Sequence, residues 1–292
     1  MKKTLSLVLA LAMCLSLAAC GNNGTQDQSS QSGSNASASD GSSGSQQGDN
    51  SSVDAADSDW AKIESNGTMK IGITYFEPMN YMDDNGELTG FETEFATAVC
   101  EKLGVTPEFV EINWDSKIME LQAQTIDCIW NGMTITPELQ EALTISDPYI
   151  KNYQVVVIRS DNADVYTSTA DLVGKTVEAE AGSAGETTIT ENADLSQADF
   201  ISKAVQTDCL MEVAAGTADA AILDLTLASA MIGEGTDYAN LKMVDELNVE
   251  EYGVAFRKGS DVAEAVDNAF DELKADGTMQ ALADKYGLTL AE

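Results

Sequence analysis

The sequence predicts an α/β protein whose folded part is divided into two lobes. Segments typical of strands alternate with segments typical of helices over 69–130, and this alternation indicates a mainly parallel sheet flanked by helices. The same alternation starts again after Leu172. Two further strand-like runs, 154–158 and 252–256, stand between the halves. We therefore expect the chain to cross to a second lobe at the first run and to return at the second.

In the first half, apolar periodicity and turn residues define the elements. Phe91, Phe95, Val99 and Leu103 recur every four residues and predict one face of a helix, which Gly104 ends. The elements predicted there are, in order, a strand at 69–74, a helix at 91–103, a strand at 108–112, a helix that Asp115 caps and a strand at 127–130.

The second half repeats the helix–strand unit of the first. The segments 119–127 and 211–219 carry the same residue at five positions (Met, Glu, Ala, Thr and Asp), although two amphipathic helices could match by chance. The elements predicted after Leu172 are a strand at 176–179, a small-residue turn at 182–185, a helix, a strand at 219–223, and C-terminal helices at 262–273 and 279–286. Lobe 1 would then comprise 59–156 plus 254–292 and lobe 2 would comprise 157–253, with the two crossover strands as the hinge.

The first residues of the chain have the features of a lipoprotein signal peptide. Lys2 and Lys3 precede an apolar run at 5–17 that is too short to span a bilayer. The run ends in Leu-Ala-Ala-Cys, which resembles a bacterial lipobox, although an ordinary small-residue cleavage site would look similar. We expect residues 1–19 to be removed, Cys20 to carry the lipid, and 20–58 to form a disordered Ser/Gly-rich tether. The protein would then be anchored by lipid to the extracellular face of the cell membrane.

Composition excludes several classes of function. The formal net charge is −34, so a polyanionic nucleic acid would be repelled. The chain has no histidine, which excludes Ser-His-Asp and Cys-His catalysis and histidine-containing metal sites. Cys100 and Cys128 lie in apolar runs and are expected to be core residues. We expect no cofactor and no metal, and a monomer.

Several segments resemble, in their order and spacing, the family 3 extracellular solute-binding proteins, which are the receptors of amino-acid ABC importers. The resembling segments are GITYFEP at 72–78, GELTGFE at 86–92, GMTITPE at 132–138, SDPY at 146–149, AAILD at 220–224, YGVAFRKG at 252–259 and LKADGT at 273–278. The resemblance implies a two-lobed periplasmic-binding-protein-like (Venus flytrap) fold with two crossover hinge strands. It also implies a non-catalytic protein that binds a small solute between the lobes and interacts with an ABC permease.

The same resemblance implies which residues contact the solute. Aromatic residues after the first strand stack on the ligand, a ring ahead of the second helix lines the other wall, and turns of both lobes supply backbone and hydroxyl groups. An acidic residue at the end of a lobe 2 strand pairs with the α-ammonium group, and a residue before the lobe 2 turn selects the ligand side chain. The corresponding residues are Tyr75 or Phe76, Trp114, Asn131, Gly132, Thr134, Ser183, Ala184, Asp224 and Glu180.

Leu139 departs from the family pattern. The family has an arginine there that pairs with the ligand carboxylate, and no cation replaces it nearby in the sequence. A carboxylate would then rest on the helix that Thr136 caps and on backbone donors alone, which is a weaker arrangement. Because Asp224, Glu180 and the aromatic rings would favour a cation, we expect a cationic or amine-bearing solute.

Alternatives remain open for these residues and for the function. Asp224 could cap the helix that follows it, and Trp114 could be a core residue. Glu180 could be a solvated surface acid, and Thr134 could do no more than stabilise the turn in which it lies. At the level of the whole protein, an enzyme on the same fold, such as a dehydratase, is one alternative. A non-transport sensor of the same ligands is another.

Overall fold

The computed structural model describes residues 58–292. The predicted signal peptide, Cys20 and all of the predicted tether before Ser58 lie outside the described residues. Within 58–292, no helix combines the length and apolarity that a membrane crossing requires.

The strands of the described part form two five-stranded sheets and one short hairpin. In chain order they are β1 (Thr68–Ile73), β2 (Tyr81–Met82), β3 (Leu88–Thr89), β4 (Thr106–Glu111), β5 (Cys128–Ile129), β6 (Leu143–Ile145), β7 (Ile150–Arg159), β8 (Thr176–Glu180), β9 (Asp199–Lys203), β10 (Ala220–Asp224), β11 (Leu241–Tyr252) and β12 (Ala255–Arg257).

The helices flank these sheets, as the alternation in the sequence predicts. They are α1 (Asp59–Asn66), α2 (Phe91–Leu103), α3 (Lys117–Gln122), α4 (Pro137–Ala142), α5 (Ala184–Glu191), α6 (Gln206–Ala215), α7 (Leu225–Met231), α8 (Val262–Ala275) and α9 (Thr278–Tyr286). Helix α2 has the predicted bounds. The predicted cap at Asp115 is wrong: Asn113 accepts a hydrogen bond from Asp115 N and starts a 3-10 turn that leads into α3.

Each five-stranded sheet belongs to one lobe. The lobe 1 sheet has the order β4-β1-β5-β12-β6, with β1 parallel to β4 and β5. The lobe 2 sheet has the order β11-β7-β10-β8-β9, with β8 parallel to β9 and β10. The predicted α/β architecture with two lobes is confirmed.

The strands β7 and β11 join the lobes and pair antiparallel over their length, from Ile150 opposite Tyr252 to Leu241 opposite Arg159. The lobe boundary predicted at 156/157 falls inside β7, and the one predicted at 253/254 follows β11. The single strand predicted at 252–256 is divided between β11 and β12. Gly253 and Val254 separate them. A Cβ at Gly253 would lie 2.7 Å from Ile145 Cγ2, so the close packing at this position requires glycine.

An aromatic cluster forms the core of lobe 1. Phe95 packs edge-on against Trp130, with ring centroids 5.6 Å apart, and lies 4.7 Å from the ring of Phe270 on α8. The C-terminal helices therefore pack on the first sheet's helix α2, although they follow lobe 2 in the chain. The three described cysteines, Cys100, Cys128 and Cys209, are buried and form no disulfide.

The repeated unit has the same hydrogen bonds in both lobes. In each copy a threonine hydroxyl donates to the backbone carbonyl and the side chain of a glutamate five residues earlier. In each copy the terminal aspartate accepts from a backbone N–H within the first three residues of the neighbouring parallel strand. The matching pairs are Thr125–Glu120 and Thr217–Glu212, and Asp127–Lys70 and Asp219–Thr176.

Candidate functional site

A cleft between the lobes lies where the carboxyl ends of parallel strands meet. Thr74 and Asn131 follow β1 and β5, while Glu180 and Asp224 end β8 and β10. Open α/β sheets bind ligands at such ends. The cleft has a volume of about 740 Å³. Lobe 1 contributes an apolar wall of Phe76, Trp114, Ile118, Met133, Ile135 and Leu139, and lobe 2 contributes a polar wall that includes Glu180, Ser183, Ala184, Gln206, Asp224 and Glu250.

The side chain of Asn131 fastens the ends of β1 and β5 to each other. Its Oδ1 accepts hydrogen bonds from Thr74 N (3.1 Å) and Thr74 Oγ1 (2.6 Å), and its Nδ2 donates to Thr74 O (2.9 Å). Asn131 lines the cleft, but both ends of its amide are engaged within the protein.

Behind the cleft turn lies the fully buried Glu92. Its Oε1 accepts from Gly132 N (2.8 Å) and from the Tyr149 hydroxyl, and its Oε2 accepts from Asn80 Nδ2 (2.8 Å). Burial raises the pKa of Glu92 to about 7, against these hydrogen bonds, which lower it. The Gly132 N–H therefore points to the core and not into the cleft.

Two of the three predicted aromatic residues line the cleft. Phe76 and Trp114 do, and both are buried, whereas Tyr75 is 41% exposed and does not. Trp114 also packs in a core cluster with Leu121 and Ile129, so its core and cleft positions are compatible. Thr134 lines the cleft and forms an isolated antiparallel bridge with Tyr252.

A buried cation, Lys117, lies in the cleft and was missed by the sequence analysis. Its Nζ donates to Gly182 O (2.7 Å) and Trp114 O (3.2 Å) and lies 4.5 Å from the centroid of the Trp114 ring. Burial lowers the pKa of Lys117 to about 8, although Glu180 and other nearby acids raise it. No cation lies near Leu139 in the sequence, as expected, but the fold brings Lys117 into the same cleft.

On the lobe 2 wall, Asp224 is held by three side-chain amides. It accepts from Asn152 Nδ2 (2.8 Å), Gln154 Nε2 (2.6 Å) and Gln206 Nε2. The alternative that Asp224 caps α7 is not supported, because its side chain makes no capping hydrogen bond. Burial nevertheless raises its pKa, opposed first by the bond from Gln206.

Glu250 shares amide donors with Asp224. Its Oε1 accepts from Asn152 Nδ2 (2.6 Å) and from Gln154 Nε2 (2.9 Å). Burial, and then repulsion by Asp224, raises the pKa of Glu250 to about 8. The two carboxyl groups together therefore hold a proton near neutral pH.

Glu180 is the third carboxyl group of this wall. Its side chain is only 5% exposed, so the alternative of a solvated surface acid is wrong. Burial, and then repulsion by Asp224, raises its pKa to about 8, opposed by the charge of Lys117. Glu180 Oε1 has no hydrogen-bond partner among the described residues.

The two helices that begin at the cleft are capped by their own side chains. Thr136 Oγ1 accepts from Leu139 N (3.2 Å) at α4, as predicted. Ser183 Oγ accepts from Glu186 N (3.3 Å) at α5, and Glu186 Oε2 accepts in turn from Gly182 N (2.6 Å). Leu139 itself lines the cleft as part of the apolar wall.

The structure thus brings nine of the ten predicted site residues to one cleft, with Tyr75 outside its lining. Lys117, Gln206 and Glu250 line the same cleft and were not predicted. For Gln206, at the start of α6, and for Glu250, within β11, the sequence carries no local signal. Lys117 could have been found from its position three residues after Trp114, on the same turn.

Comparisons with known proteins agree with this architecture. The family model for bacterial extracellular solute-binding proteins, family 3, matches residues 68–289. The L-cystine-binding protein TcyA of Bacillus subtilis is 32% identical over 246 residues, which cover 82% of this chain and 88% of that protein. The L-cystine-binding protein TcyJ of Escherichia coli is 29% identical over 228 residues, covering 77% of this chain and 84% of that protein.

Solved structures with the same fold include three amino-acid-binding proteins. The arginine-bound form of truncated ArgBP from T. maritima has a TM-score of 0.67 and 32% identity, covering 73% of this chain and 99% of that one. An ABC uptake transporter substrate-binding protein from Streptococcus pneumoniae with bound histidine has a TM-score of 0.71 and 29% identity, covering 79% and 96%. The ancestral amino acid-binding protein AncCDT-1, a precursor of cyclohexadienyl dehydratase, has a TM-score of 0.71 and 32% identity, covering 78% and 99%.

These relatives are binding proteins, which supports a function without catalysis, although AncCDT-1 shows that the fold also leads to an enzyme. The family match extends over most of the chain, with a cleft at the carboxyl ends of both parallel sheets. The chain therefore belongs to the family 3 bacterial extracellular solute-binding proteins.

Proposed function

We propose that this protein is a lipid-anchored solute receptor on the extracellular face of the cell membrane. It binds an amino acid or a related small amine-bearing solute in the cleft and closes about the crossover strands. It then delivers the solute to an ABC permease. It acts as a monomer without a cofactor, with Cys20 carrying the lipid and the residues up to 58 serving as a tether.

The observation that carries the proposal is the pairing of the Asp224 carboxylate with aromatic rings on the opposite wall. A buried carboxylate forms strong, charge-assisted hydrogen bonds with an ammonium group once water is excluded. The faces of Trp114 and Phe76 attract the same cation or pack on its apolar part. Cystine, arginine and histidine, the ligands in the names of relatives, all carry an amino group.

Each site residue has a role in this proposal. Asp224 receives the ammonium group, Trp114 and Phe76 enclose the ligand, and Glu180 selects its remaining part. Thr134, Ser183 and Ala184 contribute hydroxyl and backbone groups of the turns. Asn131 and Gly132 contribute their backbone carbonyl groups, because the Asn131 amide and the Gly132 N–H are engaged within the protein.

Differential scanning fluorimetry with the purified chain tests this function. The library contains amino acids, cystine, amines and betaines, and native mass spectrometry of the fresh protein looks for a co-purified solute. A ligand at 100 times its Kd adds about 2.7 kcal/mol to the free energy of unfolding, and hence raises Tm by about 5–10 °C. The proposal fails if no compound raises Tm and no solute co-purifies. Conversion of the bound solute, followed by mass spectrometry, would favour a dehydratase instead.

The lipid anchor has a separate test. Metabolic labelling with a fatty acid should label the protein in cells, and Cys20→Ala should abolish the label and release the protein from the membrane fraction. Cys128→Ser is the control, because this buried cysteine is outside the predicted lipobox. Labelling that survives Cys20→Ala would contradict the assignment.

A further inference from the structure

We propose that the solute is a diamine without a carboxylate group, in which two cationic nitrogens are joined by an alkyl chain. This inference rests on the proposed function and narrows it to one chemical class. It follows from a count of the hydrogen-bond donors and acceptors that the cleft still offers to a ligand.

Several lobe 1 donors that could hold a carboxylate are engaged within the protein. Asn131 Nδ2 donates to Thr74 O, and Gly132 N donates to Glu92 Oε1. At α4 the first helical residue is Pro137, which has no N–H, and Leu139 N donates to the capping threonine. A ligand carboxylate at this wall would therefore meet few unpaired donors.

The lobe 2 turn already holds a carboxylate of its own. Glu186 Oε2 accepts from Gly182 N, while Glu186 N donates to Ser183 Oγ. An anion at the start of this helix is stabilised by the helix dipole and the N–H groups there. Because Glu186 is at that start, a ligand carboxylate would be repelled from it.

The cation in the cleft is engaged as well. Among the described residues that line the cleft, Lys117 is the only lysine or arginine, and its ammonium group donates to Gly182 O and Trp114 O. Two of its three N–H groups thus donate to carbonyl oxygens, which leaves one for a ligand carboxylate.

Acceptors, by contrast, are in excess. Six acidic residues line the cleft against the single charge of Lys117, which leaves a net charge of −5 when all seven are ionised. They are Asp115, Glu138, Glu180, Glu191, Asp224 and Glu250. Glu180 Oε1 has no donor within the described residues, and its side chain is 5% exposed. Two ammonium groups, which are pure donors, would supply both the missing charge and the missing hydrogen bonds.

The opposite wall fits the part of a diamine that lies between its charges. Ile118, Met133, Ile135 and Leu139 line the lobe 1 side of the cleft together with the two aromatic rings. An alkyl chain can pack there with its ends turned to the acidic wall. In this arrangement, Leu139 contributes to ligand binding as part of the apolar wall.

Isothermal titration calorimetry with matched ligands tests the proposal on the mature chain. Lysine is compared with 1,5-diaminopentane, and arginine with agmatine, because each pair differs only by the carboxylate. Pentylamine is the control that lacks the second nitrogen. We expect both carboxylate-free ligands to bind at least tenfold tighter than their amino acids, and 1,5-diaminopentane at least tenfold tighter than pentylamine.

An amino acid that binds as tightly as its carboxylate-free counterpart overturns the diamine proposal and leaves the receptor function intact. Absence of binding by the whole panel, the standard amino acids and cystine overturns both. Glu250→Gln should weaken 1,5-diaminopentane at least tenfold and leave pentylamine unchanged, and Glu180→Gln serves as a second variant. Glu251→Gln, the exposed neighbour outside the cleft lining, should behave as wild type. If Glu250→Gln loses the same affinity for 1,5-diaminopentane and for pentylamine, the proposal is also overturned.

Discussion

The ammonium nitrogen of Lys117 in lobe 1 donates a 2.7 Å hydrogen bond to the carbonyl oxygen of Gly182 in lobe 2. Asp115 touches the same residue, since a Cβ on Gly182 would lie 3.2 Å from Asp115 Cα. The two lobes thus meet at one side of the cleft through a small polar contact. Such a contact can be broken without unfolding either lobe.

Replacing Lys117 with methionine should shift the ligand-free protein toward a more open arrangement. The variant keeps the apolar stem on Trp114 but removes the donor to Gly182. Small-angle X-ray scattering should show a larger radius of gyration than for wild type. Lys242→Met, at an exposed position on β11, should leave the scattering profile unchanged. An unchanged profile for Lys117→Met would show that this hydrogen bond does not hold the lobes.

Truncating the side chain of Asp224 should lower the free energy of unfolding more than neutralising it. Asp224→Ala removes the acceptor that Asn152, Gln154 and Gln206 share. Asn152 and Gln154 keep Glu250 as an acceptor, but the N–H groups that bound Asp224 lose their partner, and each buried unpaired group costs about 1–3 kcal/mol. Asp224→Asn keeps one acceptor and should lose less stability, yet it should lose the thermal response to an amine ligand. Chemical denaturation of both variants, with and without ligand, measures the two effects. A full ligand response in Asp224→Asn would contradict the role of the carboxylate.

The fold could be predicted because its signals are local. Helix α2 follows from the four-residue recurrence that begins at Phe91, and the repeated unit follows from identical residues that prove to make identical hydrogen bonds. The need for glycine at position 253 could not be predicted, because it depends on the approach of Ile145 from a distant part of the chain.

Two acidic residues of the site could be predicted because each stands at a strand end. Asp224 and Glu180 end neighbouring parallel strands, so topology brings them together. Glu250 reaches them from β11, whose pairing with β7 sets it opposite Asn152. Lys117 follows the predicted Trp114 by three residues, but its hydrogen bond to Gly182 depends on the approach of the two lobes, which no local pattern in the sequence expresses. The roles of the site residues toward a ligand stay predictions.

Gly132 should tolerate substitution by alanine less well than Gly174, a glycine with a similar φ. Its φ is +58°, and a Cβ would lie 2.5 Å from Phe76 Cε1. Gly174 has φ +68° and no heavy atom within 4 Å of the same position, so Gly174→Ala measures the backbone cost alone, about 1–2 kcal/mol. Urea denaturation should show a clearly larger loss for Gly132→Ala. Equal losses in the two variants would mean that Phe76 moves aside freely.

The stability of the ligand-free protein should fall as the pH rises from 6 to 8.5. Burial raises the pKa of Glu180 and of Glu250 to about 8, well above the ordinary value of 4.5, so the folded state binds more protons than the unfolded chain between these values. The stabilisation is therefore complete below about pH 4.5 and is lost as the pH rises through about 8. Glu180→Gln, which cannot ionise, should lose about 1–2 kcal/mol less than wild type across this interval, whereas Glu251→Gln should follow the wild type. Urea unfolding at a series of pH values measures the slopes, and equal slopes for wild type and Glu180→Gln would show that this carboxyl group does not titrate in the folded protein.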